Sequence, residues 1–267
     1  MGILNVTPDS FSDGGEYNTL ERAVAHAKQM IVDGADIIDV GGESSRPGAK
    51  QITTDEEINR VIPVIKALKK EFDDSIIISI DSYKSVVVDQ AIKAGATIVN
   101  SMGGFSFDAE IAEIVAKAGT KLIIYHIKGE PQTMQKGEIH YENVIDDINK
   151  FFSEQIEIAE HAGIKKDALI LDPGFGFGKT VDQNLEIIKR CNEFAKHTLP
   201  ILIGVSRKST IGTLIKNAYS LERAPEPKDR LAGSLALTAF AVQNGATIVR
   251  THDVKETKQF LTVLSAV

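Results

Sequence analysis

Leu20-Glu21-Arg22-Ala23-Val24-Ala25-His26-Ala27-Lys28-Gln29-Met30-Ile31-Val32-Asp33-Gly34-Ala35-Asp36-Ile37-Ile38-Asp39-Val40 contains one complete structural unit of this chain. Leu20, Val24, Ala27, Met30 and Ile31 recur at helical spacing. Gly34 stands where a left-handed residue closes a helix, and the apolar run from Ile37 has the length of a buried strand. The same order of helical pattern, glycine and apolar run returns around Gly95, Gly119, Gly163 and Gly245. Alanine follows the glycine at Gly34, Gly95 and Gly245. Thr54 and Glu57 read as a capping box ahead of Ile58, Val61, Ile65 and Leu68.

Extended along the chain, the pattern predicts strands at 2–6, 37–40, 76–80, 97–99, 121–125, 168–171, 201–205 and 247–249, with helices between them. Eight strand–helix units predict a single α/β domain over residues 1–267, a closed (β/α)8 TIM barrel. An open, doubly wound sheet is the structural alternative. The widest irregular stretches are 41–53, 129–141 and 217–228. The last holds Pro225 and Pro227 and leads into a helix from about Asp229.

The 267 residues are 43% apolar and 25% charged, enough chain to bury a core without cross-links. A single cysteine, Cys191, excludes an internal disulfide and fits a reducing, cytoplasmic setting. The net charge of −7 argues against nonspecific nucleic-acid binding. Neither a membrane-length apolar run nor a cationic leader is present, so no membrane partner is expected. The chain enters its first strand at once, as expected of a trimmed chain or a piece of a longer one.

In such barrels the chemistry lies at the C-terminal ends of the strands. Strand one ends at Asn5, before Thr7-Pro8-Asp9-Ser10-Phe11-Ser12-Asp13-Gly14-Gly15, and strand two in Gly42-Glu43-Ser44-Ser45-Arg46-Pro47-Gly48. Strands three, four and five deliver Asp81, Asn100 and His126. Strand six ends in Asp172-Pro173-Gly174-Phe175-Gly176-Phe177-Gly178-Lys179. Strands seven and eight end in Ser206-Arg207-Lys208-Ser209 and Arg250-Thr251-His252-Asp253. Each residue alone has a plain reading as a turn former, cap, core histidine or packed aromatic. Their convergence on one rim points to a site. Asp81, Asn100 and Asp172 supply acceptors suited to a flat heterocycle rich in N–H groups. Ser206, Lys208, Ser209, Arg250 and His252 occupy the sector where these barrels bind phosphate. A short helix expected at 209–216 would turn its N-terminus towards an anion.

These segments together resemble the dihydropteroate synthase family over nearly the whole chain. The most specific matches are Ile3–Gly15, Leu171–Lys179 and Ser206–Ser209. The resemblance implies condensation of 6-hydroxymethyl-7,8-dihydropterin pyrophosphate with p-aminobenzoate in folate biosynthesis. It also implies Mg²⁺ and a homodimer. By position, it assigns Asp81, Asn100, Asp172 and Lys208 to the pterin, and Phe11, Ser45, Arg46, Pro47, Phe177 and Ser209 to p-aminobenzoate. Asn5, Arg250 and His252 are assigned to pyrophosphate, with Asn5 also on the metal. Catalytic roles fall to Asp13, Arg46, Asp172, Lys208, Arg250 and His252, of which Asp13 and Arg46 lie in loops expected to close over the site.

The chain departs from the family pattern at Ser45, where Thr is usual, at Ser82-Tyr83, at Ser101 in place of Asp, at Tyr125 in place of Met, and at Thr251 in place of Val. Ser101 and Tyr125 are expected to alter the pterin's surroundings. Tyr83 and Thr251 resemble some sulfonamide-insensitive relatives, but the Phe175–Gly178 loop lacks an added aromatic, so sensitivity is expected. Two rival readings share the pterin-binding barrel: a methyltetrahydrofolate-dependent corrinoid methyltransferase domain, and a barrel that has lost catalysis and serves a partner, binding pterin pyrophosphate without turnover. Neither has an evident use for the Lys208, Arg250 and His252 cations.

Overall fold

The computed structural model describes residues 1–7, 16–44, 51–130, 133–134 and 139–267, with the side chains of 16–19 left aside. The strands are β1 (Gly2–Asn5), β2 (Ile37–Gly41), β3 (Ile77–Asp81), β4 (Ile98–Met102), β5 (Lys121–Tyr125), β6 (Leu169–Asp172), β7 (Leu202–Ile203) and β8 (Ile248–Val249). The helices are α1 (Glu16–Val32), α2 (Thr54–Phe72), α3 (Ser85–Ala94), α4 (Glu110–Ala118), α5 (Val144–His161), α6 (Val181–Lys189), α7 (Ser209–Ala218), α8 (Leu231–Gln243) and α9 (Val254–Leu264).

Strands β1 to β6 pair in sequence order, all parallel, and β7 pairs with β8. Two short bridges join these groups into a ring. Leu171 of β6 pairs with Ile201, just before β7, and Gly2 of β1 pairs with Thr251, just after β8. At the second seam Ile3 N donates to Thr251 O and Thr251 N to Met1 O, both at 3.0 Å. A sheet whose last strand hydrogen-bonds its first has no free edge, which rules out the open-sheet alternative.

Several boundaries differ from expectation. β2, β3 and β6 run one residue further, taking in Gly41, Asp81 and Asp172. β4 runs to Met102, so Asn100 lies within the strand. β7 and β8 keep only two residues each of ladder geometry, because their neighbours pair through single bridges. The cap of α2 is Thr53, whose side chain accepts from Glu56 N, and not Thr54. Glu57 therefore makes no capping box; its side chain turns inward to Lys84. The helix expected at 209–216 is α7, and the one expected near Asp229 begins as a 3-10 turn, Pro227–Arg230, before α8. The five junction glycines all adopt positive φ, from +66° at Gly119 to +122° at Gly95, as their place after a helix requires.

The packing has two layers. The larger core joins strands to the surrounding helices, with Phe152 and Phe194 fully buried and in edge-on contact. The smaller one contains only residues in or next to strands: Met1, Ile98, Ile123, Ile170 and Leu202, packed with Ile37 and Ile248. It plugs the barrel's interior towards the N-terminal ends of the strands. Side chains alternate along a strand, so the residue two positions beyond each plug residue also points inward, one level higher. That step leads from Ile37 to Asp39, Ile98 to Asn100, Ile123 to Tyr125, Ile170 to Asp172, Leu202 to Gly204 and Ile248 to Arg250. The functional level thus rests directly on an apolar floor.

Candidate active site

A pocket opens on this upper level, lined by Asn100, Tyr125, Asp172, Phe175, Phe177, Gly204, Lys208 and Arg250. A second pocket is bounded by Glu43, Ser44, Glu57, Asp81, Ser82, Tyr83 and Met102. Arg250 links the lining of the two. Its Nε donates to Asp39 Oδ2 and its Nη2 to Asp81 Oδ2, each at 2.6 Å. Asn100 Nδ2 donates to the same Asp39 oxygen at 3.1 Å. Asp39 Oδ1 and Asn100 Oδ1 are buried with no hydrogen-bond partner among the described residues. Of these two acceptors Asn100 lines the pocket, where it suits a ligand edge rich in N–H donors.

Asp172 is oriented by its own loop: Gly174 N donates to Asp172 Oδ1 at 2.7 Å. Burial raises the Asp172 pKa, with the Gly174 N–H and the Lys208 charge working against it. Burial likewise raises that of Asp81, with Arg250 opposing and Asp39 reinforcing the shift. Lys208 Nζ donates to Phe175 O at 2.7 Å and sits 3.7 Å from the centre of the Phe177 ring. Burial brings its pKa down to about 7, opposed by Asp172 and reinforced by Arg250. The guanidinium of Arg250 keeps its charge despite burial, because Asp39 and Asp81 face it.

Lys208 points inward because its neighbour points out. Arg207, at φ +59°, ion-pairs with Asp253, and its backbone is gripped by Ser234 and Arg230. The two side chains of this turn are thereby directed apart.

The expected site residues divide as follows. Asn100, Asp172, Phe177, Lys208 and Arg250 share one pocket, and Asp81 joins it through Arg250. His252 lies on the same rim, its Nδ1 3.0 Å from Ser206 Oγ. Asn5 closes β1 opposite Gly41, and its Oδ1 would be 3.7 Å from a Cβ placed there. Ser209 is exposed at the start of α7. Phe11, Asp13, Ser45, Arg46 and Pro47 lie outside the described residues. Phe175 is buried, as expected of one of the two loop aromatics, while Phe177 packs against Tyr125 at 5.1 Å.

One expectation is corrected. Ser101 has the opposite strand parity to Asn100 and so faces away from the pocket. Its hydroxyl is buried and donates to Gly104 O at 2.6 Å. Tyr125 does line the pocket, as expected.

Residues 1–252 match the family described as pterin binding enzyme. The chain belongs to that family. Dihydropteroate synthase of Escherichia coli (strain K12) is 46% identical over 266 residues, spanning 100% of this chain and 90% of the relative. A crystal structure of the Clostridium difficile dihydropteroate synthase, obtained with pteroic acid, superimposes with a TM-score of 0.90 at 45% identity, covering 100% of this chain and 95% of that one. The Xanthomonas albilineans dihydropteroate synthase with 4-aminobenzoic acid gives a TM-score of 0.90 at 39% identity, covering 100% and 91%. Within this pterin-binding family frame, the sequence reading missed three features. Asp39 anchors Arg250 and Asn100. The side chain of Lys84 bonds Glu43, Glu57 and the Ile52 carbonyl. Lys179 is buried beneath the strand-six loop. Only Asp39 had a usable signal, a carboxylate within an apolar run, two residues beyond the partly buried Ile37.

Asp39→Asn leaves the Arg250 charge with one carboxylate fewer in a buried setting. Unfolding in denaturant is expected to show a loss on the order of 3 kcal/mol, the scale for breaking a buried pair. A stability equal to wild type would show that Arg250 does not need this partner.

Proposed function

We propose that this chain condenses 6-hydroxymethyl-7,8-dihydropterin pyrophosphate with p-aminobenzoate to 7,8-dihydropteroate and pyrophosphate, in folate biosynthesis. The observation that carries the reading is the meeting, in one pocket, of the acceptors Asn100 and Asp172 with the cations Lys208 and Arg250. The acceptors suit the N–H edge of a pterin and the cations suit a diphosphate leaving group.

In this reading Asp81, Asn100 and Asp172 hold the heterocycle. The bond between the pterin methylene carbon and the diphosphate oxygen breaks, and its electron pair leaves with pyrophosphate. Arg250 and His252 stabilise the departing anion. The Asp172 carboxylate favours the cation left on the methylene. The arylamine lone pair then forms the new C–N bond, and the amine proton passes to solvent. Phe177 packs against the aryl ring, and the arylamine carboxylate lies at the Ser209 helix start. The family resemblance assigns Phe11, Asp13, Ser45, Arg46 and Pro47, which lie outside the described residues, to the arylamine side.

Among the described residues no cluster of three or more His, Cys, Asp or Glu side chains is arranged to hold a metal. Asn5, an oxygen donor at the rim, fits Mg²⁺ carried mainly by substrate phosphates. Such an ion supplies charge neutralisation to the leaving group when bound.

A homodimer is part of the proposal. α8 has no charged residue in its 13 positions, and Phe240 on it is 58% exposed, as is Val263 on the adjacent α9 at 67%. An apolar helix at the surface calls for cover. None of the described helices is long and apolar enough to cross a membrane. With the single cysteine free and buried, this accords with a cytoplasmic enzyme.

The deciding test is a coupled pyrophosphate assay with both substrates and Mg²⁺. Sustained release that is accelerated by p-aminobenzoate and stops on chelation is expected; release at an equal rate without p-aminobenzoate, or none, refutes the reading. Lys208→Ala should lower kcat/KM by about 2–4 kcal/mol of transition-state stabilisation. Since the Lys208 pKa is depressed to about 7, its cation is present below that pH and lost above it. The kcat/KM for the anionic pterin substrate should therefore fall as pH rises through about 7. In Lys208→Arg, whose guanidinium does not deprotonate, this alkaline limb should vanish; a limb that persists would assign it to another group. Sedimentation should give a dimer for wild type and a shift towards monomer for Phe240→Lys; a monomeric wild type would overturn the dimer.

A further inference from the structure

Lys179 is 2% exposed, and its three hydrogen-bond partners are all neutral. Nζ lies 2.9 Å from His126 Nδ1 and donates to Gly174 O and Phe177 O, each at 3.0 Å. A lysine is costly to bury unless something depends on it, and here every donor of the ammonium has an acceptor. Burial holds the pKa of Lys179 well below its ordinary value, and burial does the same to His126, reinforced by the Lys179 charge. An ammonium donating to Nδ1 and a neutral amine accepting from Nδ1–H preserve the same three contacts.

The contacts lie at structurally decisive places. Gly174 N orients Asp172, and Gly174 O is one of the Lys179 acceptors. Phe177 O is another, and the Phe177 ring lies beneath Lys208 and against Tyr125. His126 directly follows β5, and its ring stands edge-on to Phe151 at 5.0 Å, in the helical layer. The loop is seated tightly on this strand end. A Cβ on Gly174, at φ +69°, would lie 1.7 Å from His126 O, and one on Gly178, at φ +63°, would lie 2.2 Å from Lys128 O. Asn184 of α6 ties the loop on its other side. Its Oδ1 accepts from Gly176 N at 2.6 Å, and its Nδ2 donates to Thr210 Oγ1 at 3.1 Å, next to Ser209.

We propose that Lys179 and His126 are positioning residues, a buried clamp that fastens the strand-six loop to the end of β5 and so sets where Asp172, Phe177 and Lys208 stand around the pocket. Neither touches the reacting groups. The inference rests on the reaction proposed above.

The test compares steady-state kinetics of Lys179→Met, His126→Leu and His126→Asn with wild type, with thermal unfolding to establish the folded fraction. In Lys179→Met and His126→Leu, the KM for p-aminobenzoate should rise and kcat/KM should fall on the order of 10–100-fold, as for misplaced site groups. In His126→Asn, whose Oδ1 can take the place of Nδ1, KM should return close to wild type. A purely structural role would lower the unfolding midpoint and scale kcat with the folded fraction, leaving KM unchanged; that result overturns the clamp. Should Lys179→Met fail to fold, the two His126 variants decide, and equal KM values in both overturn the proposal. A wild-type enzyme without turnover overturns the reaction and the clamp together, whereas wild-type turnover with unaltered variants overturns the clamp alone.

Discussion

The Arg250 guanidinium, held between the carboxylates of Asp39 and Asp81, is the contact on which the site depends. It joins β2 and β3 to the end of β8 through the barrel's interior, beside the seam where the last strand meets the first. A cation buried this deeply is tolerated because two anions face it, and two anions this close are tolerated because the cation lies between them. Breaking the arrangement strands a charge in low dielectric. The pocket is therefore organised before any ligand arrives: Asn100 shares the Asp39 oxygen, and the remaining Asn100 and Asp39 oxygens are buried without a hydrogen-bond partner among the described residues.

Around that core the site is graded in charge. Carboxylates and the Asn100 amide lie deep, on strands two, three, four and six, and face what a heterocycle offers. Lys208, His252 and the start of α7 lie towards the rim, on the strands that the sequence supplies last. Arg250 belongs to both regions. Burial pushes Asp81 and Asp172 up and Lys208 down, so all three are brought nearer to neutrality than they would be in water. Groups in that condition respond strongly to a charged ligand, because each substrate charge shifts them back towards their ionised forms.

The strand-six loop shows how such a site is supported. Three glycines at positive φ, Gly174, Gly176 and Gly178, let the backbone lie directly on the end of β5 and under the Lys208 stem, where side chains would collide. A loop of that composition has little stiffness of its own. Its backbone is tied instead by side chains: Lys179 bonds Gly174 O and Phe177 O, Asn184 bonds Gly176 N, and Lys208 bonds Phe175 O. The aromatic face of Phe177 is then presented at a definite place.

What the sequence by itself determined is the barrel and most of the site. Hydrophobic periodicity is a local property; the strand–helix unit repeats it eight times, and a glycine marks the junction at five of them. Polar residues at strand ends must converge once the strands are parallel and in order, which places Asp81, Asn100, Asp172, Lys208 and Arg250 together. Closure of the ring, the identity of the partners of Arg250, the burial of Lys179 and the outward face of Ser101 were decided only by tertiary structure. Each depends on which residues meet across the interior or on the parity of one position within a strand. Asp39 stands out as a charge in an apolar run but does not reveal its partners, and Lys179 looks like any cation after a glycine-rich turn, until the chain is folded. Which charge meets which, and what burial then does to both, depends on long-range contacts that no local pattern specifies.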